Sequence, residues 1–546
     1  MKKADTLLIN GRFLTMEEDA PFAEAVAIRD GRILYVGDEE EARRFVSEDT
    51  EVIDLEGRVA SPAFIESHTH PLGYANTLAF LNCRGENTES LENLLKCVSE
   101  YADKIPKGEW IYGTGYDEGK FLTGASDITR DDLDKVVPDH PVYLRRTCGH
   151  LCVMNSLAMK ISNLSDEDNL PFDPCSYFRD EAGRLTGKFS TNAAAKAPIP
   201  KASPKQIEEG IFKVQEMFFK NGITTAADMS IGPANFKTIQ KLDREKRIKL
   251  RFGIYHSADI ESSLNGKGRL SSAANLSMQS GFGSDRLWFL GLKYVMDGAA
   301  GGRTAAFSLP YVNEPDNFGK LYHEQRAVNE SVLTAAKAGI QASIHAIGDR
   351  AIEMALTAVE YANANGYDTK NLRFRIEHLE APTFNHIERI KALNLSVSLS
   401  GAFIYSLGDS HINVMGEDRL IHAFPARTLM DMGITVACNS DCPVCDVNPM
   451  YGIYSMVTRT TSRGRDFGGK AEAVDRIKAL EAYTKNAAYL LWRENELGTL
   501  KEGKLADIVV FDEDFLNVPD RELKDIHIYM TMSGGEVVYK NEKFKL

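Results

Sequence analysis

Short apolar runs alternate with amphipathic stretches through most of this chain. Eight of the runs read as buried strands: residues 64–70, 224–230, 250–256, 289–296, 341–347, 374–380, 396–400 and 435–440. Brief, nearly continuous apolar runs between turn residues suit strands that are covered on both faces. Strands separated by helical patterns suit βα units around a parallel sheet. Eight such units predict an α/β fold, a closed (β/α)8 TIM barrel. The interval between the first and second runs is too long for one crossover, which predicts an inserted subdomain after strand 1, at about 83–200.

The two ends of the chain have a different texture. Thr6 to Ile9, Ala25 to Ile28 and Ile33 to Val36 are short β-like runs broken by Asn10-Gly11 and Asp30-Gly31, the dipeptides of tight hairpins. Ala506 to Phe511, Ile526 to Met532 and Glu536 to Tyr539 repeat the pattern near the C-terminus, with Gly534-Gly535 between the last two. Residues 1–61 and 491–546 are therefore expected to build one composite β-sandwich domain, and 62–490 the barrel.

Composition narrows the function classes. Hydrophobic residues make 43% and charged residues 26% of 546 positions, an ordinary globular balance that excludes a disordered or fibrous chain. The formal net charge is −14 with no compensating basic cluster, which argues against nucleic acid and anionic membranes as partners. No window approaches the roughly 20 apolar residues of a membrane helix, and Leu7-Leu8-Ile9 is too short for a signal peptide core. Eight scattered cysteines do not form a disulfide framework. A cytoplasmic protein acting on a small-molecule substrate is expected, with a homo-oligomer left open.

Polar residues interrupt the barrel strands near their carboxyl ends, where barrel enzymes carry their chemistry. Strand one ends in Ser67-His68-Thr69-His70, whose period-two spacing puts both imidazoles on one face. Strand four carries Lys293, strand five His345 and strand six His378 behind Glu377; Asp441 follows strand eight. Singly these have plain readings: a hydrogen-bonded rim histidine, a lysine snorkelling to the mouth, an aspartate capping a helix. Together, four histidines, a lysine and a carboxylate at one end of one barrel point to a site for zinc-like divalent ions.

Several stretches in order then carry a resemblance. Residues 60–70 (ASPAFIESHTH), 293–307 (KYVMDGAAGGRTAAF), 345–351 (HAIGDRA), 375–380 (RIEHLE) and 439–444 (NSDCPV) resemble the amidohydrolase superfamily. More closely they resemble its amidohydrolase 3 branch, which includes N-substituted formamide deformylases; 141–159 and 497–507 also fit. The resemblance implies a binuclear centre of two Zn2+ ions, with His68, His70 and Asp441 on the first, His345 and His378 on the second, and an N6-carboxylated Lys293 bridging them. It also implies that a metal-bridged hydroxide cleaves a C–N bond of amide or formamide type, with Asp441 as general base and acid. A deaminase or cyclic amidase on the same scaffold, and a non-catalytic regulatory homologue, are the alternatives.

Candidates for substrate binding are Arg303 after strand four, and Tyr116, Asp117 and His150 in the insertion, a region that resembles the lid of this branch. Arg303 is either an anchor for a carbonyl or anionic group or a loop ion pair; His150 is either a ligand contact or a structural histidine. His256, ending strand three, either lines the pocket or makes a rim hydrogen bond. Cys438, Cys442 and Cys445 around Asp441 match a zinc knuckle only in part, and buried packing is expected. Glu66 stands where relatives carry Asp, Ala63 where they carry Gly, and Gly301-Gly302-Arg303 replaces Gly-Ser-Arg. These departures remove no ligand but bear on the pocket.

Overall fold

The computed structural model describes residues 2–541 except 85–87, 89, 119–120, 122–127, 148, 150, 167–169, 171–175 and 191–192. The chain divides into two compact units. One comprises Met1–Pro71, Phe212–Asp297 and Ala305–Leu546; the other comprises Leu72–Ile211 and Gly298–Thr304.

Within the first unit, eight parallel strands follow one another around a barrel: Phe64–Thr69, Ile223–Asp228, Arg251–Ser257, Leu287–Val295, Gln341–Ala346, Arg375–His378, Ser396–Leu399 and Val436–Cys438. Every one of the eight apolar runs is a barrel strand. The first and eighth strands meet through side chains and backbone, with Ser67 Oγ donating to the Cys438 carbonyl at 2.9 Å and His70 N donating to the Cys442 carbonyl at 2.7 Å. Strands covered on both faces tolerate few polar side chains, so the few they carry stand out in sequence. Ile65, Ala227, Tyr255, Leu290 and Ala437 pack with Leu490 and Leu491 in one buried cluster. Helix Gln325–Ala338 stops at Gly339, whose φ of 70° makes the left-handed C-cap that returns the chain to strand five.

Two further sheets belong to the same unit. One has four strands drawn from residues 6–54; the other has six, in which Val59–Pro62 pairs with Arg12–Leu14 on one side and Ile508–Phe511 on the other. Leu8, Phe13, Val26 and Ile28 share a core with Ile508, Val510, Met530 and Met532, so both chain ends supply the sandwich. Val59–Pro62 is separated from the first barrel strand by Ala63 alone, and the sandwich sits directly upstream of the first histidines.

A buried ion pair links these parts. Arg251 of barrel strand three donates from Nε and Nη2 to the two carboxylate oxygens of Asp507, both at 3.0 Å, and Asp507 Oδ1 also accepts from Gly534 N at 2.7 Å. Burial pushes the Asp507 carboxyl up, but the Arg251 guanidinium outweighs it and holds the group below its ordinary value. Its stabilising contribution is therefore complete above the unfolded carboxyl pKa of about 3.9 and is lost as pH falls through the lower folded value. Asp507→Ala is expected to cost about 3–5 kcal/mol at neutral pH by stranding a buried guanidinium. A urea midpoint equal to that of the wild type would show that the pair is not needed.

The second unit contains its own six-stranded sheet, ordered Tyr177–Arg179, Leu185–Ser190, Leu151–Met154, Val142–Arg146, Ile111–Tyr116 and Leu81–Asn82. No helix among the described residues is long and apolar enough to cross a membrane.

Candidate metal centre

Two histidines of strand one are held in defined tautomers. His68 Nδ1 lies 2.6 Å from Glu377 Oε2. Burial pushes Glu377 up, but Arg375 and Lys293 outweigh it and keep the group a carboxylate, which accepts. His70 Nδ1 lies 2.8 Å from the Met229 carbonyl, which can only accept. In both rings Nδ1 therefore carries the hydrogen, and the Nε2 lone pair faces the other way.

Both lone pairs face one carboxylate oxygen. Asp441 Oδ1 is 3.4 Å from His68 Nε2 and 3.3 Å from His70 Nε2, and it is buried without a hydrogen-bond partner. Burial raises the Asp441 carboxyl, while His68, His70 and Lys293 outweigh burial and leave it below its ordinary value. Burial, helped by Lys293, drives His68 well below its usual range. Three ligand atoms thus converge in a buried cluster whose charge has to be balanced within the protein interior. A divalent cation balances it, and two imidazole nitrogens with one carboxylate oxygen are the donors that zinc-like ions favour. Among the described residues, this trio is the group with metal-ligand spacing, its donor atoms all within 4.8 Å of one another.

The remaining predicted residues extend the same cluster. Lys293 Nζ is 3.0 Å from His68 Nε2, and burial pulls the lysine down to about 8. The His378 ring is 4.7 Å from that of His68 and 4.5 Å from that of His345. His378 Nδ1 sits 2.8 Å from Ser400 Oγ, and its ring stacks on Phe403. His345 Nε2 lies 3.4 Å from Asp297 Oδ1. Asp297 also accepts from Ile347 N, Gly348 N and Ala306 N, so it ties the strand-four loop to the end of strand five.

Backbone strain gathers at these positions. His378, Leu379 and Asp441 have φ of 70°, 46° and 52°, a left-handed conformation that non-glycine residues rarely adopt and that tends to concentrate at functional sites. The irregularity lets Glu377 and His378, adjacent in sequence, both reach His68. Glu66 accepts from Ser440 N at 3.0 Å, next to Asp441, and burial raises its carboxyl to about 8. The longer side chain at this position therefore touches the strand-eight turn.

The other candidates have these local surroundings. Tyr116 is buried in the apolar core of the second unit, and Asp117 accepts from Arg146 Nη2 at 2.6 Å; both are built into that unit's interior. Arg303 has φ of 55° in a turn where its N donates to the Ala300 carbonyl. His150 lies outside the described residues. His256 packs edge-on against Phe236 of the helix Pro233–Arg244 rather than joining the histidine cluster, while Tyr255 next to it joins the barrel core. Cys438, Cys442 and Cys445 are buried thiols outside any disulfide, and none joins the metal-spaced group among the described residues.

Sequence reasoning missed the groups that orient the ligands: Arg375, Ser343, Ser400 and the Met229 carbonyl. One signal was available, since Arg375 and Glu377 are opposite charges two residues apart in a strand otherwise fully buried.

A profile of the amidohydrolase family matches residues 51–539. The chain belongs to the amidohydrolase family. It is 29% identical to the Protein LONG AFTER FAR-RED 3 of Arabidopsis thaliana, over 98% of this chain and 92% of that protein. It is 24% identical to the N-substituted formamide deformylase of Arthrobacter pascens, over 98% of this chain and 98% of the enzyme. A metal-dependent hydrolase from Pyrococcus furiosus superposes with a TM-score of 0.71 at 29% identity, covering 94% of this chain and all of that one. The amidohydrolase assignment and this neighbour together make the chain a metal-dependent hydrolase with a candidate His-His-Asp site.

Proposed function

We propose that this amidohydrolase cleaves a C–N bond of amide or formamide type in a small organic substrate. The observation that carries the reading is the convergence of His68 Nε2, His70 Nε2 and Asp441 Oδ1 at metal-ligand spacing. A metal held there supplies a Lewis acid for a carbonyl and makes water acidic near neutral pH. His345 and His378, continuing the imidazole row, are the donors for a second ion. Lys293 belongs between them: as an ammonium it repels cations, whereas reaction of its amine with carbon dioxide forms one N–C bond, releases one proton and leaves an anionic carbamate.

Asp441 takes the proton of the attacking water and returns it to the leaving nitrogen as the C–O bond forms and the C–N bond breaks. Its lowered pKa keeps it an ionised carboxylate with a lone pair open to a proton, and it lies beside both histidines. The formamide deformylase is similar over the whole length of both chains, which supports a C–N bond as the target.

The test begins with metal content per chain, measured by plasma mass spectrometry on protein expressed with zinc and bicarbonate. About two ions supports the binuclear form and about one a mononuclear form; none overturns metal dependence. A panel of amides and formamides then reads the products. Free amine together with carboxylate or formate supports the proposal. Ammonia released from a ring carbon, or opening of a cyclic amide, replaces it with one of the other hydrolytic reactions.

A further inference from the structure

We infer that Glu377, pinned by Arg375, is a positioning residue that locks His68 in its metal-binding tautomer. The inference rests on the metal-dependent reading above and adds to it a residue that is not itself a ligand.

Four donors converge on the Glu377 carboxylate. Oε1 accepts from Arg375 Nε and from Ser343 Oγ, the latter at 2.7 Å; Oε2 accepts from Arg375 Nη2 at 3.1 Å and from His68 Nδ1 at 2.6 Å. Arg375 and Glu377 share one face of strand six, and the parallel register places Ser343 of strand five beside Arg375. Arg375 Nη2 also donates to the Ser67 carbonyl at 2.6 Å, which ties the assembly to the residue before His68. Arg375, Glu377 and Ser343 are all fully buried, so water does not weaken these contacts.

The metal-free site has a competing arrangement. If His68 carried its hydrogen on Nε2, that N–H would face Asp441 Oδ1 at 3.4 Å and give up the 3.0 Å contact from Lys293 Nζ, while blocking the ligand lone pair. Glu377 opposes this collapse from the other side of the ring. Both acceptors are carboxylates, but the Glu377 contact is the shorter, 2.6 Å against 3.4 Å, and three further donors fix that carboxylate in place. The carboxylate also places a negative charge one imidazole away from the cation. Partners of this kind orient metal-bound histidines and raise their basicity.

Glu377→Gln is the informative change because it keeps the shape. A carboxamide has one accepting oxygen and one NH2 group, yet three of the four contacts come from N–H groups of Arg375 and His68 and the fourth from the Ser343 hydroxyl. The NH2 either opposes Arg375 and Ser343 or faces His68 Nδ1 and forces the wrong tautomer. Zinc affinity, measured on metal-free full-length protein by chelator competition, is expected to weaken about 10–100-fold. The visible bands of the cobalt-substituted protein are expected to shift, which a purely structural role would not produce. Wild-type zinc affinity together with an unchanged cobalt spectrum in the Gln variant would overturn the inference while the hydrolase reading stands. A wild-type protein that binds neither metal would overturn both. Should the Gln variant fail to fold, Ser343→Ala removes a single donor from Oε1; a weakening of about threefold is then expected, and unchanged affinity overturns the inference.

Discussion

Replacing His68 or Asp441 by alanine is expected to lower turnover about 1,000-fold or more while leaving the barrel folded. The size follows from removing a metal ligand, since metal assistance is worth several kcal/mol and each 1.36 kcal/mol is a factor of ten in rate. Retention of the fold follows from the partners that remain. In His68→Ala, Glu377 keeps its contacts to Arg375 and Ser343. In Asp441→Ala no hydrogen bond to Oδ1 is lost, because that oxygen has none. Asp441→Asn separates the two duties of the residue: the amide can still lie beside the histidines but cannot take a proton. It is expected to lose turnover by a similar factor, and its metal-free melting temperature is expected to equal or exceed that of the wild type, because one acceptor in a cluster of acceptors becomes a donor. Circular dichroism, thermal melts and metal content on the three variants check each part. Full activity in His68→Ala or Asp441→Ala would remove both residues from the mechanism.

The barrel was legible because its strands are buried on both faces and read as apolar runs with few polar interruptions. The same property exposed the site: imidazoles and a lysine have no reason to sit in such strands except at the end where they meet. What stayed hidden is tertiary. The partner of each Nδ1 comes from another strand or from backbone, namely Glu377 for His68, the Met229 carbonyl for His70 and Ser400 for His378, and residue spacing along the chain carries no record of these pairings. Tyr116 and Asp117 are substrate-binding candidates because the insertion that holds them resembles the lid of this branch. The insertion has a sheet of its own, however, and Arg146 on the neighbouring strand satisfies the aspartate inside it. At strand three the alternation rule would have separated Tyr255 from His256, one joining the barrel core and the other packing on the helix layer.

Stability and function pull in opposite directions at Lys293, and its removal is the sharpest test of how many ions the centre holds. The side chain is almost fully buried, with Nζ beside an imidazole nitrogen and Glu377 already holding Arg375 and Ser343. Methionine fills similar volume without a charge. Lys293→Met is therefore expected to raise the stability of the metal-free protein by about 1–4 kcal/mol, because burial pulls the lysine down to about 8 and its charged form costs stability at neutral pH that methionine does not. On the proposed reading, in which a carboxylated Lys293 joins two ions, turnover is expected to fall about 100-fold or more and metal content from about two ions per chain to about one. Protein grown with 13C-bicarbonate should show a carbamate carbon resonance that is missing from the variant. A fully active Lys293→Met would dismiss the bridging role. An inactive variant whose wild-type parent shows no carbamate signal would leave the lysine acting as an amine on His68 Nε2, next to a single ion on His68, His70 and Asp441. That outcome would move the chemistry away from a shared bridge and place the whole burden of activating water on the His-His-Asp side of the row.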